Sequence, residues 1–456
     1  MEILKDVVLI YPFTKPSYDR SKFRLPPLGL GYIASYLRKN NFDVDVLDCT
    51  FKGEQAVIKE AQQQSPRIIG IYSMYTMQEA TIRLAKALRK KCDTLVVGGP
   101  LPTVTPEPFL QYFDIVVMGE GEQTMLEIAS LDQPNNLKKI RGLVFKEKDG
   151  NDTERIVYTQ PREMFNDIDS IPHPARELFD NSDYIRYYSD RGFEPTTSIM
   201  TSRGCPFSCD FCSKPVFGST LRQRSPKNII SEITEALKLG YTRIYFQDDC
   251  FTISKSRLEE FCRLVLEEGL VFNWECLSRV DGLDSKLATL MRKSGCVQIF
   301  FGLESGNDRI LEIMKKQVTL SKGREAIRIT RDAGIKTGAF FIIGYPGETN
   351  NTILDTINYA SSLPLDYLSF SLPYPIPGTG LYEKTKNLNH TKLEPKSHLL
   401  IDHELVYESE FSEKKLKFGI TKGVIQFYLR KHLMGFSGFV ETPFNKLTNI
   451  LFKMMN

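Results

Sequence analysis

The sequence predicts an α/β protein with two cores: an N-terminal doubly wound, Rossmann-like domain, then a partial (β/α)6 barrel of the TIM type, followed by a helical C-terminal segment. Three observations lead there. Up to about residue 140, short apolar runs alternate with helix-like segments. From Thr196 a more regular strand and helix repeat begins and supplies six strands. Past Tyr382 the alternation stops and apolar residues fall at helical spacing. A chain of 456 residues is too long for one ordinary core. The expected divisions are 1–140, a linker over 141–195, the barrel over 196–382 and a C-terminal cap over 383–456.

In the first division, strands are expected at 7–13, 42–47, 67–73, 94–97 and 114–118, with helices such as 27–39 and 78–91 between them. Continuous apolar strands separated by helices imply a parallel sheet covered on both faces. Such sheets bind ligands outside the carboxyl ends of their strands. PPLGLGY, SMYT, GGP and GEGE, which begin at residues 26, 73, 98 and 119, fall at those ends, where glycines let backbone approach a ligand.

The linker opens on RGLVFKE, a short strand, turns at KDGND and continues through IDSIPHPARELF. Prolines on both sides of His173 favour an extended or turning path, and that histidine reads as a surface turn residue. In the barrel, strands are expected at 197–202, 243–248, 271–280, 297–304, 337–344 and 367–374, and helices at 225–239, 255–268, 285–293, 320–333 and 350–362. The active site of a barrel lies at the carboxyl ends of its strands. CPFSCDFC follows the first of them and places Cys205, Cys209 and Cys212 at C-x3-C-x2-C spacing. Iron–sulfur clusters otherwise take four cysteines, so three thiolates leave one iron open to a small molecule.

This spacing, with the barrel behind it, resembles the radical S-adenosylmethionine (SAM) superfamily. The resemblance implies a 4Fe-4S cluster on Cys205, Cys209 and Cys212, with SAM on the open iron cleaved to a 5'-deoxyadenosyl radical. It also implies SAM contacts at the later strand ends: Asp248 or Asp249 in FQDDCF, Arg279 in LSRVD, Glu304 and Ser305 in FGLES, and Gly344 in IIGYPGE. Adjacent carboxylates on a strand point to opposite sides, so only one of Asp248 and Asp249 faces the mouth. Cys250, Cys262, Cys276 and Cys296 lack cluster spacing and read as buried small apolar residues.

The order PPLGL, VVGGP with Pro106 and Glu107, then GEGE resembles the cobalamin-binding domain found in front of many radical SAM enzymes. That likeness implies that Ser73, Tyr75, Thr76, Gly98, Gly99, Glu120 and Gly121 line cobalamin. An Asp-x-His-x-x-Gly motif is absent, and the first histidine in the chain is His173, so this domain offers cobalt no imidazole. Methylthiotransferases, which carry a second cluster on three further N-terminal cysteines, are excluded because that region has only Cys49 and Cys92.

The tail from residue 414 carries eight Lys or Arg and one acid, Glu441. LKFGITKGVIQFYLRKHLMGF has helical apolar spacing, and LNHTKLEPKSH before it reads as a polar loop. A basic amphipathic helix suits an anionic membrane surface, and equally suits covering the open side of the barrel, the second being slightly favoured. The tail resembles that of the branch containing the anaerobic Mg-protoporphyrin ester cyclase and lipid-modifying enzymes, which implies a large apolar substrate.

A net charge of +3 argues against a nucleic-acid partner. No apolar run is long enough to span a membrane, and MEILKDVVLI lacks a signal-peptide cleavage site. With an odd number of cysteines, nine, these features predict a cytoplasmic protein, with a peripheral place at the membrane if the tail docks there. The reading is a cobalamin-dependent radical SAM enzyme transferring methyl from methylcobalamin to an unactivated carbon of a small-molecule, lipid or peptide substrate. It would be served by an external flavodoxin- or ferredoxin-type reductant. Cyclisation, rearrangement or carbon–carbon coupling with the same cofactors stays open. A non-enzymatic corrinoid or redox sensor would not need the SAM-binding strand ends. The sequence assigns no catalytic side chain.

Overall fold

A computed structural model describes residues 5–13, 23–131, 134–148, 153–388, 405–432 and 437–455. Most of LNHTKLEPKSH and of the KDGND turn lies outside the described residues.

The first sheet has seven strands: β1 (Val7–Tyr11), β2 (Val44–Asp48), β3 (Ile68–Tyr72), β4 (Thr94–Gly98), β5 (Ile115–Val117), β6 (Leu143–Lys148) and β7 (Glu154–Tyr158). Their order is β2-β1-β3-β4-β5-β6-β7, parallel up to β5 and antiparallel beyond it. Alternate residues of β1 feed two cores: Val7 and Leu9 face one side, Val8 and Ile10 the other. Burial on both faces is why these strands read as unbroken apolar runs. The strand order reverses between β1 and β3, which opens a crevice at their carboxyl ends.

The segment expected as a linker does more than connect, since β6 and β7 form a hairpin that extends the sheet. Its remainder straps the two cores together. Tyr184, in the helix Asn181–Ser189, donates its hydroxyl to Asp48 at the end of β2. Arg176 reaches the barrel through Thr197, Ser198 and Glu232. His173 pairs with Glu235 at 2.9 Å.

The barrel sheet runs β15-β14-β13-β12-β11-β8, all parallel. Its strands are β8 (Thr196–Ile199), β11 (Arg243–Phe246), β12 (Asn273–Ser278), β13 (Cys296–Glu304), β14 (Lys336–Ile342) and β15 (Tyr367–Ser371). A two-residue ribbon, β9 (Ser202–Arg203) with β10 (Arg222–Gln223), leaves the end of β8 and frames the cysteine loop. Helices Pro226–Lys238, Lys255–Glu267, Ser285–Lys293, Leu320–Asp332 and Asn350–Ser362 cover the outside. Their starts follow local chemistry: Asp284 caps the Leu287 amide, and Thr349 and Thr352 form a reciprocal capping box.

Helix Glu413–His432 lies along β15 and Asn350–Ser362, so the tail covers the edge of the barrel. Leu416 and Phe427 are buried there. Gly423 permits the approach, because a Cβ would stand 2.7 Å from Phe370 Cε2. A second helix, Ser437–Met454, packs on the first. Among the described residues, no helix is long and apolar enough to cross a membrane.

Candidate functional site

The three cysteines sit on a loop fastened from several sides. Lys214 Nζ donates to the carbonyls of Cys205 and Phe207, both at 2.6 Å, and closes the loop on itself. The Asp210 amide donates to Met314 O at 2.9 Å, and its carboxylate accepts from Tyr345 Oη at 2.7 Å and Lys384 Nζ at 2.6 Å. Burial works to raise the Asp210 carboxyl, yet these bonds carry it below the ordinary range. The Arg279 guanidinium stacks on Phe207, 3.6 Å from the ring centre.

Cys205 is buried, Cys209 half-buried and Cys212 exposed at the loop surface. Desolvation raises the Cys205 thiol, and desolvation with Asp249 pushes Cys212 up to about 11. A bound cation reverses that balance by displacing the thiol protons. Among the described residues no three His, Cys, Asp or Glu side chains converge as they would on one metal ion. An iron–sulfur cubane holds each thiolate on a different iron, so its ligands stand wider apart than those of a single ion. Three thiols, with no imidazole in the loop and the Asp210 carboxylate committed to Tyr345 and Lys384, suit such a cluster.

Beside the loop lies a cavity of about 730 Å³, within the range of about 300–1,000 Å³ usual for small-molecule and cofactor sites. Its floor is the crevice of the first sheet, where Tyr11 and Tyr72 end β1 and β3 with ring centres 5.6 Å apart. Ser213 to Phe217, after Cys212, form one wall, and Tyr245, Gln247, Asp248 and Asp249 at the end of β11 form another. The remaining surface is largely apolar, with Leu9, Val96, Val117, Met125 and Met200. Gly99 holds φ at +116° with a would-be Cβ 2.5 Å from Ser73 O, so only glycine keeps that edge open.

Buried charges lock the cavity's two halves together. Glu120 Oε1 accepts from Arg203 at 3.1 Å and Arg222 at 2.8 Å, while Oε2 accepts from the Phe165 amide at 3.1 Å. Glu122 takes the other arm of Arg203 at 2.6 Å. Arg203 is thereby raised further above its usual value; burial works against this and the two carboxylates prevail.

The structure gathers some of the expected residues and disperses others. Gly98, Gly99, Glu120 and Gly121 line the cavity, as do Asp248 and Asp249. Ser73, Tyr75 and Thr76 do not; the neighbouring Tyr72 does. Ser73 Oγ and Tyr75 Oη are nevertheless buried without a protein partner, which fits a ligand reaching that strand end. Asp248 is committed to the turn after β8, accepting from the amides of Thr201 at 2.6 Å and Ser202 at 3.0 Å, which leaves Asp249 to face the cavity. Arg279 pairs with Asp281 at 2.8 Å, and Glu304 with Lys316 at 3.0 Å. Ser305 bonds to Thr356 at 3.2 Å, and Gly344 lies beneath Leu416 with its amide on Glu348.

Tyr11, Tyr72, Lys214 and Arg203 were not singled out from sequence. A signal existed for the tyrosines, since both end apolar strands at the chain reversal. Lys214 and Arg203 needed the folded loop.

A family model described as the radical SAM superfamily matches residues 199–360, and one described as a B12 binding domain matches residues 18–129. The chain is 33% identical over 450 residues to an uncharacterized methyltransferase of Pyrococcus horikoshii, covering 95% of this chain and 94% of that one. It is 26% identical to an anaerobic magnesium-protoporphyrin IX monomethyl ester cyclase of Cereibacter sphaeroides, covering 92% and 70%. Among solved structures, the cobalamin-dependent SAM radical enzyme OxsB aligns with a TM-score of 0.78 at 17% identity, covering 98% of this chain and 72% of that one. The radical SAM methyltransferase TsrM of Kitasatospora setae aligns with a TM-score of 0.71 at 20% identity, covering 86% and 77%. These two share the fold.

Proposed function

The chain belongs to the radical SAM superfamily and carries a B12-binding domain, and from that premise we propose that it places a methyl group on an unactivated carbon of its substrate. It is a cobalamin-dependent radical SAM enzyme whose cofactors are a 4Fe-4S cluster, SAM and cobalamin. When bound, these groups supply a hydrogen-abstracting radical and a transferable methyl group. What this chain supplies is placement. Cys205, Cys209 and Cys212 would hold the cluster, on a loop that Lys214 closes and Asp210 anchors. Asp249 offers an acceptor for an ammonium group at the barrel mouth, while the crevice beside Tyr11, Tyr72 and Gly99 would take the corrinoid.

One observation carries the reading: a single cavity is lined by the strand ends of the first sheet, the segment after Cys212 and the end of β11. Groups bound in the two cores then share one chamber, where proximity replaces diffusion of reactive species. Its apolar walls exclude water from the reacting centre.

The substrate is read as a small molecule, a lipid or a peptide with substantial apolar surface, and the electron donor as a flavodoxin or ferredoxin. A cytoplasmic setting is supported by nine free cysteines. The test is anaerobic turnover of the reconstituted enzyme on fractionated lipid, metabolite and peptide extracts, using SAM with an isotope-labelled methyl group. A product heavier by one methylene carrying the label, formed with 5'-deoxyadenosine, supports methyl transfer. A product of unchanged mass or lighter by hydrogens identifies ring closure, rearrangement or coupling instead. Absence of 5'-deoxyadenosine under reducing conditions overturns the enzyme reading.

A further inference from the structure

The last helix, Ser437–Met454, is turned inside out. Leu447, Ile450, Leu451 and Met454 are spaced i, i+3, i+4 and i+7 and are 60%, 51%, 44% and 74% exposed. Among the described side chains its inward side mixes polar Asn445, Thr448 and Asn449 with half-buried Phe444, which lies against Lys422, and buried Phe452. The amide oxygens of Asn445 and Asn449 are buried without a partner. The helix it packs on answers with buried polar groups of its own: Lys415 Nζ bonds Met455 O at 2.6 Å, and Lys422 Nζ bonds Gln426 at 2.7 Å. A helix whose outer face met only water would carry the opposite polarity. Scattered exposed apolar residues are ordinary, but a continuous stripe of four marks a covered face.

Charge identifies what covers it. Lys446 and Lys453, seven residues apart, stand together along one edge of the stripe, and both are exposed. The helix it packs on adds exposed Lys414, Arg430 and Lys431, while its Lys415 and Lys422 are buried and Lys417 pairs with Glu413. We propose that this face docks the enzyme on an anionic lipid surface, with Leu447, Ile450, Leu451 and Met454 at the acyl boundary and the lysines among the headgroups. Pairing with a second copy would bring two surfaces of the same sign together. The docking is independent of methyl transfer, and sedimentation reads it without turnover.

The full-length protein is sedimented with phosphatidylcholine vesicles and with vesicles that also contain phosphatidylglycerol. Leu447→Gln with Ile450→Gln replaces exposed residues by a good helix former, so the fold is retained, which an unchanged melting temperature checks. Wild type sediments with the anionic vesicles, and the apolar double variant loses about ten-fold or more of that binding. Lys446→Gln with Lys453→Gln removes most of the preference for anionic over zwitterionic vesicles. The proposal is overturned if wild type stays in solution with both vesicles, or if the apolar variant sediments like wild type. It is equally overturned if light scattering shows a dimer that the apolar variant dissolves, which makes a second copy the occupant.

Discussion

Tyr345, three residues past the end of β14, donates its hydroxyl to Asp210 Oδ2 at 2.7 Å, so the cysteine loop hangs from the far side of the barrel. Lys384 completes the anchor, 2.6 Å from the same oxygen. Replacement by asparagine removes the charge that holds Lys384 but keeps an acceptor for Tyr345. Asp210→Asn should cost about 1–3 kcal/mol, as expected for a hydrogen bond to a charged group with one partly exposed partner. Thermal melts of the metal-free protein measure it. The folded carboxyl sits below its unfolded value, so the anchor contributes fully above about pH 4 and weakens as pH falls through the lower folded value. The variant should therefore lose less stability than wild type below that point.

Substituting Cys205, Cys209 and Cys212 together with alanine should abolish both the broad iron–sulfur absorbance and SAM cleavage, while the fold persists. No described contact of the core depends on their sulfur atoms, and none of the three is in a disulfide. A triple variant that still took up a full complement of iron and sulfide would sink the assignment.

Glu120 is the shared acceptor of two buried guanidinium groups, on Arg203 and Arg222, and it joins the first sheet to the ribbon that enters the cysteine loop. Glu120→Ala strands the Arg222 charge and leaves Arg203 only Glu122, and removing one partner of a buried pair costs about 3–5 kcal/mol. Glu122→Ala leaves Arg203 its second partner and should cost less. Urea unfolding ranks the two, and equal losses would contradict the geometry.

Much of this site was legible before folding because it is local. Cysteine spacing needs no tertiary knowledge, and the six barrel strands and five long outer helices fall within a few residues of the segments their periodicity marks, as with Ser285–Lys293 and Asn350–Ser362, while the short helix Asp308–Ile313 was not marked. The hairpin β6–β7 escaped as sheet because its outer strand is mostly exposed and its apolar run, Ile156 to Tyr158, is only three residues long. At the end of β3 the expectation fell on Ser73 while Tyr72 lines the cavity, and neighbouring residues of a strand point to opposite faces. Arg203 with Glu120, 83 residues apart, has no sequence signature, because ion pairs between two cores are set by how the cores dock.

The absence of histidine from the first 140 residues carries to the cavity, whose lining contains none. Cobalamin purified on the protein and brought to the Co(II) state should show no axial nitrogen hyperfine splitting from the protein in electron paramagnetic resonance. Splitting that disappears with a cobinamide lacking the nucleotide base would trace to the cofactor itself. Splitting that persists would require a nitrogen ligand from elsewhere in the chain.

Glu348 gives a pH dependence of opposite sign to Asp210. Its Oε2 accepts from the amides of Gly344 at 2.6 Å and Tyr345 at 2.9 Å, but Oε1 is buried without a partner. Burial pushes its carboxyl up to about 8 against the pull of those two amides. Folding thus favours the protonated form: the contribution is fully present below the unfolded value of about 4.3 and is lost as pH rises toward the folded one. Between those limits wild type should lose stability with a slope of up to about 1.4 kcal/mol per pH unit from this group. Glu348→Gln keeps an oxygen for the two amides and cannot ionise. Its stability should be lower than or equal to that of wild type near pH 5 and higher at pH 8, so that the two unfolding curves cross. Curves that stay parallel across this window would show that Glu348 is ionised in the folded protein throughout.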